Sequence, residues 1–320
     1  MPWIVGIDEA GYGPNLGPLV MTSVACRVPE GLADANLWRV LRNAVRQRPS
    51  AASDRLLIQD SKVVYSAARG LLDLEMGVLA TLSPWRSGEQ IPLVQYVDWA
   101  CPTSHPDLRG EPWYSGTSVL PVVTETPPFV KAAQRFERAC LGQNVTWGPA
   151  HSVVLCPARF NRLLDQWGSK GAALGEALTE LLGRHLGLDG DDPVTVFVDK
   201  HGGRNNYAAM LQHAIPEGLV VVHEEGMNRS VYSVLGLSRP VRLIFQPRAD
   251  SAHFCVALAS MCSKYLREVL MLEFNRFWQT HLPGLKPTAG YPGDSARFFE
   301  EIRPAAQRLG IAEEVLWRRK

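Results

Sequence analysis

The chain opens with Ile4-Val5-Gly6-Ile7-Asp8-Glu9-Ala10-Gly11-Tyr12-Gly13-Pro14, a short apolar run that ends in two adjacent carboxylates and a glycine-rich turn. A strand buried on both faces reads as a continuous apolar run, so this pattern asks for a place at the centre of a sheet. Acids at the end of such a strand lie beside a desolvated core, where an ionised group is costly unless paired or metal-bound. Side chains alternate along a strand, so Asp8 and Glu9 start out on opposite faces. Both reach one cluster only if the chain turns there, which Gly11 and Gly13 permit. Taken alone, the segment reads equally well as a loop beginning with two solvated acids.

Two further acids stand in comparable places. Val194-Thr195-Val196-Phe197-Val198-Asp199 is a β-branched run ending in an aspartate, followed by the turn-like Lys200-His201-Gly202-Gly203-Arg204. Its composition, and a length too short for a typical helix, argue for a buried strand. Residues 241–246 form another strand-like run leading to Asp250, at the mouth of a long helix expected over 251–281. Asp250 is a candidate N-cap for that helix, an ordinary reason for aspartate there. Together, four carboxylates at two strand ends and one helix start are what a two-metal site needs.

The rest of the chain alternates strands and helices, which favours an α/β layer architecture with a mixed central sheet flanked by helices. A second strand is expected near 18–26, with short strands at 152–155 and 219–223. Helices are expected over 31–48, 64–82, 158–167, 172–186 and 205–214, with a break near Gly168. The helix at 31–48 would carry Arg39, Arg42, Arg46 and Arg48 on a solvated face or along a phosphate backbone. Residues 83–148 are rich in proline, tryptophan and glycine and show no clean period. We read 1–82 with 150–320 as the core and 83–149 as a large insertion or subdomain. Its Trp85, Trp99, Trp113, Tyr114 and Trp147 would either stack on unpaired bases or pack a small core of the insertion. The acidic turn at 187–193, with Asp189, Asp191 and Asp192, fails the EF-hand spacing and reads as surface.

At 320 residues, 46% hydrophobic and 20% charged, the chain has ample apolar material for a core. A net charge of +1 leaves nucleic-acid attraction to a local basic face. Cys26, Cys101, Cys140, Cys156, Cys255 and Cys262 form no C-x-x-C pair, which points to reduced thiols and a cytoplasmic setting. Cys255 and Cys262 share one face of the long helix and read as core. No signal peptide and no membrane span are evident.

The motifs taken in order resemble a known family. Gly6-Ile7-Asp8-Glu9-Ala10-Gly11-Tyr12-Gly13-Pro14 with Gly17-Pro18 resembles the first motif of type 2 ribonuclease H (ribonuclease HII). Asp60-Ser61-Lys62 resembles its second motif, and Val198-Asp199 the strand carrying its third carboxylate. Arg248-Ala249-Asp250 with Ala257-Leu258-Ala259-Ser260-Met261-Cys262-Ser263-Lys264 resembles the fourth carboxylate and its helix, and Gly290-Tyr291-Pro292 the family's tyrosine motif. Three departures stand out: Tyr12 replaces an arginine usual between the two glycines, Val63 replaces a second lysine, and two stretches are longer than in compact members. The chain thus reads as a divergent relative with its carboxylate set intact.

The resemblance implies a ribonuclease H-like fold and a metal-dependent endonuclease cutting the RNA strand of RNA/DNA hybrids, or at ribonucleotides embedded in DNA. Phosphodiester displacement concentrates charge on the attacking and leaving oxygens, and two Mg²⁺ or Mn²⁺ ions about 3.5–4 Å apart stabilise both. Such ions prefer oxygen donors. Asp8 would bridge the two ions, with Glu9, Asp199 and Asp250 completing the set. Gly11, Tyr12 and Gly13 would approach the ribose 2′-hydroxyl, the group that separates RNA from DNA. Lys62 and Lys264 would contact phosphates, and Tyr291 would stack on the sugar. His201 and His253 read as proton shuttles or polar neighbours, and Arg204 as a partner for phosphate or for an acid. Nucleic acid is the implied partner; protein partners are unspecified. Two alternatives stay open: a nuclease of the same fold with another nucleic-acid target, and a catalytically silent nucleic-acid-binding relative.

Overall fold

The computed structural model describes residues 1–50, 53–66, 68–82, 90–114, 118–186 and 190–319. Among these residues the central sheet has eight strands. In chain order they are β1 (Trp3–Ala10), β2 (Leu19–Arg27), β3 (Thr146–Trp147), β4 (His151–Leu155), β5 (Val194–Asp199), β6 (Leu219–Glu225), β7 (Ser230–Leu235) and β8 (Val241–Gln246). Across the sheet they run β6-β7-β8-β5-β1-β2-β3, and β4 pairs with another stretch of β2. β5 lies parallel to both β1 and β8, while the other pairings are antiparallel. This is the mixed α/β sheet expected, and the two apolar acid-ended runs are adjacent strands near its middle.

One face of the sheet is covered by the long helix Phe254–His281, the other by the helices Pro157–Trp167, Lys170–Leu186 and Ala208–Ala214. Gly6 sets the first contact. A Cβ there would stand 2.2 Å from the backbone of Cys255 and Val256, so only glycine lets the helix approach β1 this closely. Most of the long helix is buried, because the helices Leu72–Leu82, Leu93–Ala100 and Thr126–Leu141 share its core cluster on its outer side. All six cysteines are buried and free. No described helix is long and apolar enough to cross a membrane.

The helix expected over 31–48 is one turn, Leu37–Val40, started by the Asn36 side chain accepting from Arg39 N. Beyond it, Val45–Arg46 pairs in parallel with Leu56–Leu57. Leu37, Trp38, Leu41 and Val45 are buried as their spacing suggests, yet a turn and an extended piece suffice to place them. The arginines therefore share no helical face. The helix expected over 64–82 is Leu72–Leu82, separated from the turn Ser61–Val64 by a stretch in which Gly70 takes a φ of +70°.

The described aromatics of 83–149 pack against the long helix instead of forming a separate core. Trp113 lies 5.0 Å from the Phe274 ring and 6.3 Å from Trp278, and Trp147 lies 5.8 Å from Phe254. Trp85 and Asp189 fall outside the described residues. In the acidic turn, Asp192 pairs with Arg27.

Candidate active site

Sheet register assembles the carboxylates. Ile7 pairs with Val198, and Gln246 with Asp199, so the parallel ladders of β1, β5 and β8 stop level with one another, while β1 runs on to Ala10 against β2. The next residue of β1 is Asp8, and the chain leaving β8 carries Asp250. Asp8 and Asp250 are buried, at 6% and 7% exposure. The long helix fixes the end of β1, since Ser263 Oγ donates to the Asp8 carbonyl at 2.9 Å and contacts Thr22 Oγ1 at 2.8 Å. Asp8 Oδ1 accepts from the Glu9 N–H at 2.8 Å, and both residues still lie in β1, which continues to Ala10 against Val20, so the turn expected at the two acids comes only after them.

Asp250 does not cap the long helix. It lies inside a separate turn, Ala249–Ala252, and the long helix restarts after His253. The carboxylate that holds this turn is Asp199, whose Oδ1 accepts from Ala249 N at 2.8 Å. Arg248, which leads into the turn, has a φ of +58°, a left-handed conformation that costs a non-glycine residue about 1 kcal/mol or more. That bend brings Asp250 back toward the ends of β1 and β5.

The acids perturb one another. Burial, then the charges of Glu9 and Asp199, hold the Asp8 carboxyl well above the usual carboxylate range. Burial and Asp199 push Glu9 up to about 7. Burial, then Asp60 and Asp199, push Asp250 up to about 7. Asp199 is also raised by burial, against the hydrogen bond from Ala249 that favours its charge. Lys62 is the nearby cation, and its charge favours the ionised forms of Glu9 and Asp199. Asp60 is a fifth acid that the carboxylate pattern alone did not single out. Its side chain accepts from Lys62 N at 2.9 Å, and its charge also acts on Asp250.

The donor set fits divalent cations in kind. It is made of oxygens, carries more negative charge than Lys62 offsets, and contains a buried Glu9 Oε2 without a hydrogen-bond partner. Hard cations match such donors. Among the described residues no three His, Cys, Asp or Glu side chains are arranged to hold a metal ion.

The glycine-rich loop runs beside the acids. Gly11 has a φ of +90°, and a Cβ on it would meet the Arg267 side chain at 2.6 Å. Tyr12 is 38% exposed, with Lys170 Nζ 5.9 Å from its ring centroid. Tyr291 is 46% exposed and stands next to Gly13, where a Cβ would lie 3.9 Å from Tyr291 Cε1. The Arg267 guanidinium lies 5.6 Å from the Tyr291 ring centroid. Lys264 is engaged by Glu268, at 2.5 Å, and by the Tyr65 ring, at 4.5 Å. His253 stacks on Phe197 at 3.8 Å, and burial together with Arg229 lowers it to about 4. His201 is buried, lowered to about 4 by burial and Arg204, and neither ring nitrogen has a partner. Arg204 rests on the Tyr207 ring at 5.7 Å and on Met210, not on an acid. Arg267 and Arg318, two buried arginines that hold this loop, carry no signal in the sequence.

No protein-family model matches the chain, and no curated protein matches it. Its path is similar over nearly its whole length to several solved structures. One is the Archaeoglobus fulgidus RNase HII in complex with PCNA (14% identity, TM-score 0.43, 99% of this chain and 94% of that one). Another is ribonuclease H2 from Pyrococcus horikoshii OT3 (15%, 0.42, 98% and 92%). A third is Bst-RNase HIII in complex with Mn²⁺ (14%, 0.42, 99% and 66%).

Proposed function

We propose that the protein is a metal-dependent nuclease that hydrolyses phosphodiesters at the cluster of Asp8, Glu9, Asp199 and Asp250. One observation carries this reading: four acids from three chain segments are brought to one end of the sheet, where burial and mutual repulsion oppose their charges. Uncompensated buried charge is costly, and a fold with no use for it would do better with neutral residues. Asp8, Glu9, Asp199 and Asp250 would hold Mg²⁺ or Mn²⁺, which when bound supplies charge stabilisation at the attacking and leaving oxygens.

The chain's own residues do the rest. Asp199 orients the turn that presents Asp250, and Ser263 fixes the end of β1 that presents Asp8. Lys62 supplies a positive charge at the rim of the cluster, where a phosphate would approach. The loop of Gly11, Tyr12 and Gly13, with Tyr291 beside it, offers backbone and an exposed ring to the sugar next to the cut. The motif resemblance supports a substrate with ribose in it: the RNA strand of a hybrid, or a ribonucleotide embedded in duplex DNA.

The test is cleavage of a duplex carrying one embedded ribonucleotide, alongside an RNA/DNA hybrid and plain DNA, with Mg²⁺ and separately with Mn²⁺. Cutting beside the ribonucleotide that vanishes in Asp8→Asn is the expected result. Folded protein that cuts none of the three in either metal overturns the reading.

A further inference from the structure

We infer that Arg318 is a positioning residue for the glycine-rich loop, holding the Tyr12 N–H toward the ligand of the site. Residues 313–319 lie along this loop as a strap. Leu16 and Trp317 form an antiparallel bridge. Arg318 N donates to Asn15 O at 2.7 Å, and Asn15 Nδ2 donates back to Arg318 O at 3.1 Å. The Arg318 guanidinium then reaches under the loop, where Nη2 donates to Gly11 O at 2.6 Å and Pro14 O at 2.5 Å.

The strap is itself anchored. Asn161, on the helix Pro157–Trp167, donates to Glu314 O at 3.2 Å and Trp317 O at 2.8 Å, and accepts from Arg319 N at 2.9 Å. The Arg318 guanidinium sits 5.1 Å from the Phe160 ring centroid. Arg267 grips the loop's other end, donating to Pro18 O at 3.2 Å and to Ala289 O at 2.9 Å.

Peptide geometry gives this bracing a direction. In a trans peptide the C=O and the following N–H point opposite ways. Turning Gly11 O inward to Arg318 therefore turns the Tyr12 N–H outward, away from the guanidinium, on a residue that is 38% exposed. An outward N–H beside an exposed ring suits an oxygen ligand, a sugar hydroxyl or a phosphate. Arg318 is also a poor choice for mere packing. It is 1% exposed, its Nε and Nη1 have no partner, and burial followed by Arg267 lowers it to about 9, so it stays charged at neutral pH. A neutral side chain would avoid that cost; a cation held behind the loop adds positive potential to the face that an anionic strand would meet.

The identity of the ligand rests on the proposed function; the bracing does not, and the test separates them. Amide exchange is measured on the full chain as wild type, Arg318→Lys and Arg318→Met. Asn15 and Leu16 are the reporters, since both donate to Gly290 O, at 2.8 and 3.3 Å. In Arg318→Met their exchange should speed up by about tenfold or more while β1 and β5 stay protected, and Arg318→Lys should recover part of the loss. With substrate, KM should rise about tenfold in Arg318→Met and kcat should change far less. Unchanged exchange at Asn15 and Leu16, or a loss spread equally over β1, β5 and the long helix, overturns the inference. Wild type that cuts nothing would sink the nuclease reading alone, because the exchange pattern still decides whether Arg318 holds the loop.

Discussion

The stretch 8–18 joins two clusters of buried charge that are solved in opposite ways. At one end the acids Asp8, Glu9, Asp199 and Asp250 raise one another's proton affinity, and Glu9 Oε2 is left without a partner. At the other, Arg267 and Arg318 also repel each other, yet each donates to carbonyls of the loop or of the neighbouring turn at Ala289. Arg267 also meets the Glu268 carboxylate, although Arg318 Nε and Nη1 stay without a partner. Cations that donate to the chain's own carbonyls brace the loop. Acids left in surplus are satisfied only by something the chain does not supply, which is why the first cluster is the better place to look for chemistry.

The hardest blow to this contrast is Asp8→Asn. If the acids exist for divalent cations, cleavage with Mg²⁺ or Mn²⁺ should fall by about a thousandfold or more, several kcal/mol of charge stabilisation. Calorimetry should show weakened Mn²⁺ binding in the same variant. Full Mn²⁺ binding by Asp8→Asn would remove Asp8 from the site. The arginine end predicts a loss of another kind. Arg267→Met leaves the Pro18 and Ala289 carbonyls unpaired and should cost about 3 kcal/mol in urea unfolding. A cost under about 0.5 kcal/mol would mean that the cations are as dispensable to the fold as the acids.

Metal-free stability sharpens the comparison, because the acids should destabilise the fold when ionised. Asp250 titrates near 7 in the folded protein against a usual 3.8, so the folded state holds a proton that the unfolded chain has lost. The contribution of Asp250 to stability therefore falls as pH rises from about 4 to 7, with its full penalty present above 7. Asp250→Asn should stabilise the metal-free protein by about 1–2 kcal/mol at pH 8 and by almost nothing at pH 4. Thermal melts in a chelator at both pH values check this. Equal effects at the two values would show that repulsion is not what the substitution relieves.

Local patterns carried the fold and the outline of the site only where the physics is local. β1 and β5 are legible because a strand buried on both faces needs an uninterrupted apolar run, and their terminal acids come with them. The expected cap was misplaced for a long-range reason: the backbone at Ala249 is held by Asp199, fifty positions away in sequence, so Asp250 is released to face the other acids. Arg267 and Arg318 left no signal, since an arginine on a helix or near a tryptophan reads as solvated. Their role lies in contacts such as Arg318 to Gly11, 307 positions apart. The helix expected over 31–48 failed because its apolar spacing was met by a turn and a short ladder once tertiary packing was available.

The two lysines carry the contrast to the surface. Lys62 and Lys264 look alike in sequence as candidate phosphate contacts, but their surroundings differ. The Lys264 ammonium is held at 2.5 Å by Glu268 and lies 4.5 Å from the Tyr65 ring, so its charge is already matched within the fold. Lys62 faces Glu9 and Asp199, acids that a bound cation would neutralise, which would release its charge for a strand. Each phosphate contact by a cation contributes close to one counterion to the salt dependence of binding, so Lys62→Met should lower the slope of log affinity against log salt by about 1. Lys264→Met should leave that slope unchanged. Fluorescence anisotropy with a labelled duplex in Ca²⁺, between low and moderate salt, measures both. A reversed result would place the strand over Tyr65 and Glu268, the partners of Lys264.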